Sequence, residues 1–209
     1  MSIVRIARHA ETTWNAHGRY QGRIDSPLSG LGRAQAAALA RALKDKPIGK
    51  IVTSPLSRCV ETAAPLARAL GVPIQTDELL TEIAHGDWEG RYRDEIARND
   101  PARFRAWRER PAEVQFTGGE SLRDVAHRWE RFVASFEPTV DSLIVTHDVV
   151  VRIALLERTG RSLEGLRTMR AHNAAYAEFA VENNCWRLVH ASVANHLNGL
   201  TADHKRQAL

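Results

Sequence analysis

Two rhythms of hydrophobic and polar positions run along the chain. Residues 2–8 alternate, are rich in β-branched side chains and pass straight into polar residues, which predicts a strand ending at a loop. Ser29 is placed to cap a helix carrying Leu31, Gln35, Ala38, Leu39, Ala42 and Leu43 at helical spacing. Residues 50–54 read as a short strand stopped by Pro55. The helix after it carries Cys59, Ala63, Leu66, Ala67 and Leu70, and Gly71 ends it. Helical fragments are expected over 94–97 and 102–110, separated by Pro101. Residues 121–136 form another helix, with Leu122, Val125, Trp129, Phe132 and Val133 on one face. Residues 142–146 are the clearest buried strand, and a helix over about 149–158 follows. Strands over 174–181 and 186–192 flank a turn at Asn183 and Asn184.

Strands alternating with helices predict an α/β fold, a three-layer α/β/α sandwich around a mostly parallel central sheet. Residues 1–195 are expected to form one catalytic domain. Residues 86–118 make a helical, lid-like excursion to which Phe104 and Trp107 belong, and 196–209 form a polar tail that frays. Parallel sheets bind ligands at the carboxyl ends of their strands. The first strand ends at Arg8-His9. The second ends at Ser54, with Arg58 one helical turn beyond, and the third at Thr146-His147. Two histidines and two arginines are thereby expected to meet on one rim.

With 209 residues, 44% hydrophobic and 26% charged, the chain has ordinary globular composition. No apolar run approaches the roughly 18 residues of a membrane span. The N-terminal residues lack the apolar core of a signal peptide, so a cytoplasmic location is expected. Cys59 and Cys185 make neither a disulfide framework nor a zinc site, and both read as buried thiols. The net charge of +4 raises the question of nucleic acid. Lysine stands only at 44, 46, 50 and 205, so 25 of the 29 basic residues are arginine, and these are scattered. A phosphate-bearing small substrate suits such a chain better than a nucleic acid. No metal or other cofactor is expected, because the sequence holds no HExxH, EF-hand or P-loop.

Two guanidiniums on one rim match the oxygens of a tetrahedral dianion. An imidazole amid cations stays neutral, and a neutral imidazole nitrogen is a nucleophile. The set therefore suits phosphoryl transfer, which asks for positioning and charge neutralisation around the phosphorus. Each of these residues alone would more often be a surface or packing residue; the set is what carries the chemistry.

In order along the chain, these residues resemble the histidine phosphatase superfamily, in its phosphoglycerate-mutase-like branch. Arg8-His9-Ala10-Glu11-Thr12 with Asn15 is similar to the RHGET…N signature. Pro27-Leu28-Ser29 with Gly32 and Gln35-Ala36 is similar to PLTxxGxxQA, and Thr53-Ser54-Pro55-Leu56 with Arg58, Thr62 and Ala63 to TSxLxRxxxTA. Glu82 with Gly86, Trp88, Glu89 and Gly90 is similar to ExxxGxWEG, Gly119-Glu120-Ser121 to the GES segment, and Val145-Thr146-His147 with Arg152 to VTHGxxxR. The resemblance implies that His9 is the nucleophile forming a phosphohistidine. Arg8, Arg58 and His147 would grip the phosphate, with Asn15 assisting. Glu82 would protonate the leaving oxygen and then activate water, which requires a raised pKa. Gln21 and Gly22 match positions on the substrate side of the pocket.

Two residues depart from that pattern. Ala10 stands where a Gly is usual, and would strain the loop if φ there were positive. Asp148 also replaces a Gly. It is expected to supply its N–H to the phosphate region while its carboxylate points away or meets a cationic or hydroxyl part of the substrate. Of the remaining histidines, His85 is the one expected near the pocket mouth. The short connection from Gly86 to Gly119 resembles the phosphatase members. The expected function is thus hydrolysis of a small phosphomonoester, a sugar phosphate or related metabolite. The alternatives are a 2,3-bisphosphoglycerate-dependent phosphoglycerate mutase, for which Arg108 and Arg110 would be the basic pair, and a non-catalytic phosphate-binding module. No membrane or nucleic-acid partner is expected, and a homodimer is the base-rate expectation.

Overall fold

A strand covered on both faces must be apolar on both, and alternate residues of the central strands feed two separate cores. The computed structural model describes residues 1–183, 185–202 and 207. In chain order the strands are β1 (Ser2–Arg8), β2 (Ile48–Thr53), β3 (Ile74–Thr76), β4 (Asp141–Thr146), β5 (Tyr176–Glu182) and β6 (Cys185–Val193). The helices are α1 (Thr13–Ala16), α2 (Gly30–Leu43), α3 (Ser57–Leu70), α4 (Arg93–Asn99), α5 (Pro101–Glu109), α6 (Leu122–Ser135) and α7 (Asp148–Arg158). The strands form one sheet in the order β3-β2-β4-β1-β5-β6. β1 to β4 are mutually parallel, and β5 and β6 add an antiparallel margin beside β1. The expected three-layer, mostly parallel architecture is present.

Ala7 of β1, Ile51 of β2 and Leu143 and Val145 of β4 pack with Leu39 and Leu43 of α2 and Cys59 and Leu66 of α3. Ile6, Val52 and Ile144 point the other way, into a larger core with Trp129 and Phe132 of α6 and Val150 and Ile153 of α7. The apolar stripe of α6 is buried at Leu122, Val125, Trp129, Phe132 and Val133. Full burial of a large aliphatic or Phe side chain stabilises by about 1.5–3 kcal/mol before entropy is counted. Ser121 caps α6 through a reciprocal capping box with Asp124, and Ser29 Oγ caps α2 by accepting from Gly32 N at 2.9 Å. Gly32 also lies against Glu11, where a Cβ would stand 1.9 Å from the carbonyl oxygen. Gly71 ends α3 in the left-handed conformation, as expected.

Several expectations change. Pro101 opens α5 at its first position, where its missing N–H costs nothing, rather than merely separating two fragments. β3 has three residues, too few to show a period in the sequence. Cys59 is buried, but Cys185 is exposed because it begins the outermost strand. Asn183 adopts φ 49, a turn geometry that Asn tolerates. Asn184, the other residue of the expected turn, and His204 lie outside the described residues. The tail does not simply fray: Leu197, Ala202 and Gln207 are buried. Among the described residues no helix is long and apolar enough to cross a membrane.

Candidate active site

Parallel register brings the three strand ends side by side. Arg8 sits opposite Thr146 and Thr53 opposite Val145, while His9 N donates to Thr146 O at 2.8 Å and Ser54 N to Val145 O at 3.0 Å. Arg8, His9, Arg58, Glu82, His147 and Asp148 are all buried there. The histidine rings of His9 and His147 meet edge to face, 5.2 Å apart.

A carbonyl oxygen only accepts, so the 2.7 Å contact between His9 Nδ1 and Ala10 O places the ring proton on Nδ1 and leaves Nε2 with its lone pair. Burial, followed by the charges of Arg58 and Arg8, holds the His9 imidazole well below its ordinary pKa of 6.5, so it is neutral at pH 7. Asn173 Nδ2 donates to the His9 carbonyl at 3.0 Å. Ala10 is not among the residues with positive φ, so the methyl imposes no backbone strain; it packs in a small core with Leu28, Ala36 and Ala174. Ala174, which receives the chain returning to β5, takes φ 57.

Arg58 is held along its whole guanidinium. Its Nη2 donates to Gly22 O at 2.7 Å, Nη1 to Ile24 O at 3.0 Å, and Nε to His147 Nδ1 at 3.3 Å. Because Nδ1 of His147 accepts, its Nε2 carries the proton, given to Ser54 Oγ at 2.8 Å. Gly22 has φ +53, and a Cβ there would stand 2.0 Å from Glu89 Oε1. Its place in the site is to aim a carbonyl at Arg58. Gln21 is buried, with its Oε1 3.0 Å from Thr12 Oγ1. Asn15 is a capping residue: its Oδ1 accepts from Thr12 N at 3.1 Å, which leaves its amide N–H groups as donors.

Glu82 is buried, and its Oε1 accepts from Ile83 N at 3.0 Å. Burial, reinforced by the negative charge of Asp148, raises its pKa from 4.5 to about 7, against the pull of the Ile83 N–H, Arg58 and Arg8.

Asp148 points neither away from the site nor into open space. It opens α7, with Oδ1 3.2 Å from Arg8 Nη1 and Oδ2 2.7 Å from Arg152 Nε. The cations it meets are the protein's own, because Arg152 lies one turn along α7 from it. Burial opposes its charge, but Arg152 and Arg8 hold its pKa below the ordinary value. Arg8 Nη1 also donates to Ala171 O at 2.8 Å and Nη2 to Gln207 Oε1 at 2.8 Å. Gln207 in turn donates to Asn173 Oδ1 at 2.7 Å. Sequence reasoning missed Ala171, Asn173 and Gln207. Only Arg152 carried a signal, one turn after the third strand end.

His85 lies inside rather than at a mouth. Its ring packs edge-on against Tyr20, Trp107 and Phe116, and burial lowers its pKa to about 3. Trp107 is core, whereas Phe104 lines a cavity of about 650 Å³. Among the described residues no group of three or more His, Cys, Asp and Glu is placed to hold a metal ion.

Comparison with known proteins gives one consistent answer. The family model for the histidine phosphatase superfamily (branch 1) matches residues 4–194. Phosphoserine phosphatase 1 of Hydrogenobacter thermophilus is 34% identical over 197 residues, 92% of each chain. Adenosylcobalamin/alpha-ribazole phosphatase of Salmonella typhimurium is 30% identical over 187 residues, 88% of each. Among solved structures, Bacillus stearothermophilus YhfR superposes with a TM-score of 0.90 at 31% identity, covering 94% of this chain and 100% of that one.

Proposed function

The chain belongs to the histidine phosphatase superfamily as a phosphoric monoester hydrolase, and from that premise we propose that it hydrolyses a small phosphomonoester through a phosphohistidine on His9. His9 Nε2 attacks phosphorus, and the bond to the ester oxygen breaks. Glu82 gives its proton to the departing oxygen, so the alcohol leaves neutral. In the second half, the Glu82 carboxylate takes a proton from water as the water oxygen attacks phosphorus. The P–N bond breaks, its electrons return to Nε2, and inorganic phosphate leaves.

Arg8 and Arg58 neutralise the phosphoryl oxygens, each already aimed by its own set of partners, so little reorganisation accompanies the reaction. A phosphoryl oxygen is a stronger acceptor than the amide of Gln207 or the hydroxyl of Ser54. It takes over the Arg8 Nη2 and His147 Nε2 protons those groups hold in its absence. Asn15 adds an amide N–H, while Gln21 and Gly22 act by shaping the wall and holding Arg58. Asp148 acts through Arg8 and Glu82 rather than on the phosphate.

The observation that carries this reading is the neutral His9, with its Nδ1 proton committed to Ala10 O and its Nε2 bare, in a buried nest of two arginines. The test is phosphate release from a panel of monoesters, with rapid quenching to trap phosphoenzyme. An acid-labile, alkali-stable phosphoprotein, absent in His9→Ala along with turnover, is expected. Phosphate release that survives His9→Ala would overturn the route. Isomerisation of phosphoglycerate without hydrolysis would replace hydrolysis by mutase chemistry.

A further inference from the structure

Glu82 lies on a stretch with no backbone ladder of its own. Residues 81–85 belong to no helix or strand, and single helical turns at Glu78–Leu80 and Gly86–Trp88 flank them. Leu80 and Ile83 are buried in the large core, which sets how deep the stretch lies. Apolar packing has no direction, so hydrogen bonds to this backbone set which way Glu82 faces. Three of them come from two residues. Glu120 Oε2 accepts from Ala84 N at 2.9 Å, and Glu120 N donates to Ala84 O at 2.8 Å. Arg128 Nη1 donates to Leu79 O at 2.8 Å. Glu82 lies between these anchors.

The two anchors are joined to each other. Arg128 Nε stands 3.0 Å from Glu120 Oε1 and Nη2 3.3 Å from Oε2, a bidentate pair in which Arg128 is buried. Both belong to one rigid element: Glu120 precedes the Ser121 cap of α6, and Arg128 lies on α6 itself. All three guanidinium nitrogens are thus used, two on the carboxylate and one on Leu79 O. Glu120 Oε1 also takes Arg23 Nη2 at 3.1 Å, from the loop of Gln21 and Gly22. The close approach of the two backbones needs Gly119, where a Cβ would stand 2.2 Å from Ala84 O. Thr146 Oγ1, at the end of β4 beside His147, donates to Leu80 O at 2.6 Å. The stretch is therefore registered against both α6 and the strand end that carries His147. The catalytic steps leave the Gly119-Glu120-Ser121 segment without a role, and this geometry gives it one.

We propose that Glu120 and Arg128 are positioning residues: as one clamp on the backbone at Leu79 and Ala84, they hold the Glu82 carboxyl in its place in the site. This rests on the reading of Glu82 as the proton donor, since both residues act through it. A charge pair taken from water returns little in stability, because desolvation offsets the attraction; what this pair supplies is a fixed geometry. With the clamp in place the carboxyl stays buried within the field of Asp148, the surroundings that raise its pKa to about 7. With the clamp loosened, Leu80 and Ile83 still hold the stretch to the core, but Glu82 gains water and turns from the ester oxygen.

Arg128→Lys tests the geometry with the charge kept, because an ammonium cannot span both Glu120 oxygens and Leu79 O. An alkyl phosphate is expected to lose about tenfold to a hundredfold in kcat/KM, the scale of a misplaced catalytic group, and p-nitrophenyl phosphate much less. The alkaline limb of the alkyl-ester profile is expected to move to lower pH. Added to Glu82→Gln, the same substitution is expected to cost the alkyl ester little more, since the group it positions is already gone. Where Glu82→Gln itself distinguishes the two esters, no loss in Arg128→Lys, equal losses on both, or a loss that adds in full to that of Glu82→Gln overturns the proposal. A readout without turnover is an NMR titration of the Glu82 carboxyl carbon, assigned by its absence from Glu82→Gln. Its pKa is expected to fall from about 7 toward 4.5 in Arg128→Lys. With the cation retained, such a fall reports lost burial, and an unmoved value overturns the proposal. Should Arg128→Lys fail to fold, Glu120→Asp, which keeps its charge and shortens its reach, decides on the same terms. A lowered Glu82 pKa in Arg128→Lys, with Glu82→Gln slowing alkyl and aryl esters alike, supports the clamp and refutes the proton donor. A selective loss in Glu82→Gln, with an unmoved titration in Arg128→Lys, refutes the clamp alone.

Discussion

Replacing Glu82 by Gln keeps the shape of the side chain and removes the proton it is placed to give. Burial and Asp148 lift the carboxyl from 4.5 to about 7. At pH 7 about half the molecules then carry the acid form, against roughly 0.3% for a carboxyl left at 4.5. The lift is worth roughly 3 kcal/mol. It is what allows a carboxylic acid to act as a proton donor in neutral solution. A positioned general acid contributes about 10²–10⁴ to rate, and most where the leaving group is a poor one. An alkyl phosphate is therefore expected to lose about that factor in Glu82→Gln, and p-nitrophenyl phosphate much less, since its oxygen departs without a proton. The wild-type rate on an alkyl ester should fall on the alkaline side as Glu82 ionises, reaching roughly a tenth of its plateau at pH 8. This limb should vanish in the Gln variant. The acid limb is not set by Glu82; it lies where His9 or the ester itself takes up a proton, and the His9 pKa is held well below 6.5. Steady-state kcat/KM against pH for the two ester types, in both proteins, is the assay. Equal losses on alkyl and aryl esters, or an alkaline limb that persists in Glu82→Gln, would refute the proton-donor role.

The same raised pKa sets a stability dependence. The folded state binds the Glu82 proton more tightly than the unfolded state does. The stability it contributes is therefore full below 4.5 and is lost as pH rises through about 7. Thermal melts should show Glu82→Gln more stable than wild type at pH 8, with the difference shrinking toward pH 4; no gain at pH 8 would argue against a buried, raised carboxyl. Asp148→Asn removes the charge that, after burial, most raises Glu82, so the alkaline limb of the alkyl-ester profile should move to lower pH; an unmoved limb would deny that coupling. Gly22→Ala forces a side chain onto φ +53, costing about 1–2 kcal/mol, and pushes Glu89 from its contact with His85 N, so a lower Tm and a raised KM for every ester are expected. Wild-type Tm with a KM confined to its original value would deny that Gly22 aims Arg58.

Legibility in the sequence followed the range of the interaction. α2 and α6 were readable because the helical period and their Ser caps lie within a few residues of one another. His9, Arg8, Arg58 and His147 were readable because strand ends in a parallel sheet share one edge, so four short local signals fell together. β3 was too short to show a period. Gln207 and Ala171 were not legible at all: they meet Arg8 across 199 and 163 residues, with no local pattern to mark them. The direction of the Asp148 carboxylate was misread because the expectation weighed the substrate's charges and not Arg152, one turn along the same helix.

That carboxylate also explains how one small site serves two opposed needs. A phosphoryl dianion is held best by unopposed cations, while a proton donor needs negative charge near it to keep its proton. Asp148 lies 3.2 Å from Arg8, an attraction of about 5 kcal/mol at an effective dielectric of 20 before desolvation is counted. It spends that attraction on orienting Arg8, and its remaining field raises Glu82. The loss of positive charge at the phosphoryl group is limited because Arg152 meets the other carboxylate oxygen. Arg8, Arg152 and Asp148 together carry one net positive charge, and Arg58 supplies a second. A glycine at 148 would leave Arg8 and Arg152 facing each other without a counter-ion and Glu82 more readily ionised. On the proposed mechanism, the departure at this position therefore favours protonation of the leaving group at some expense in phosphate affinity.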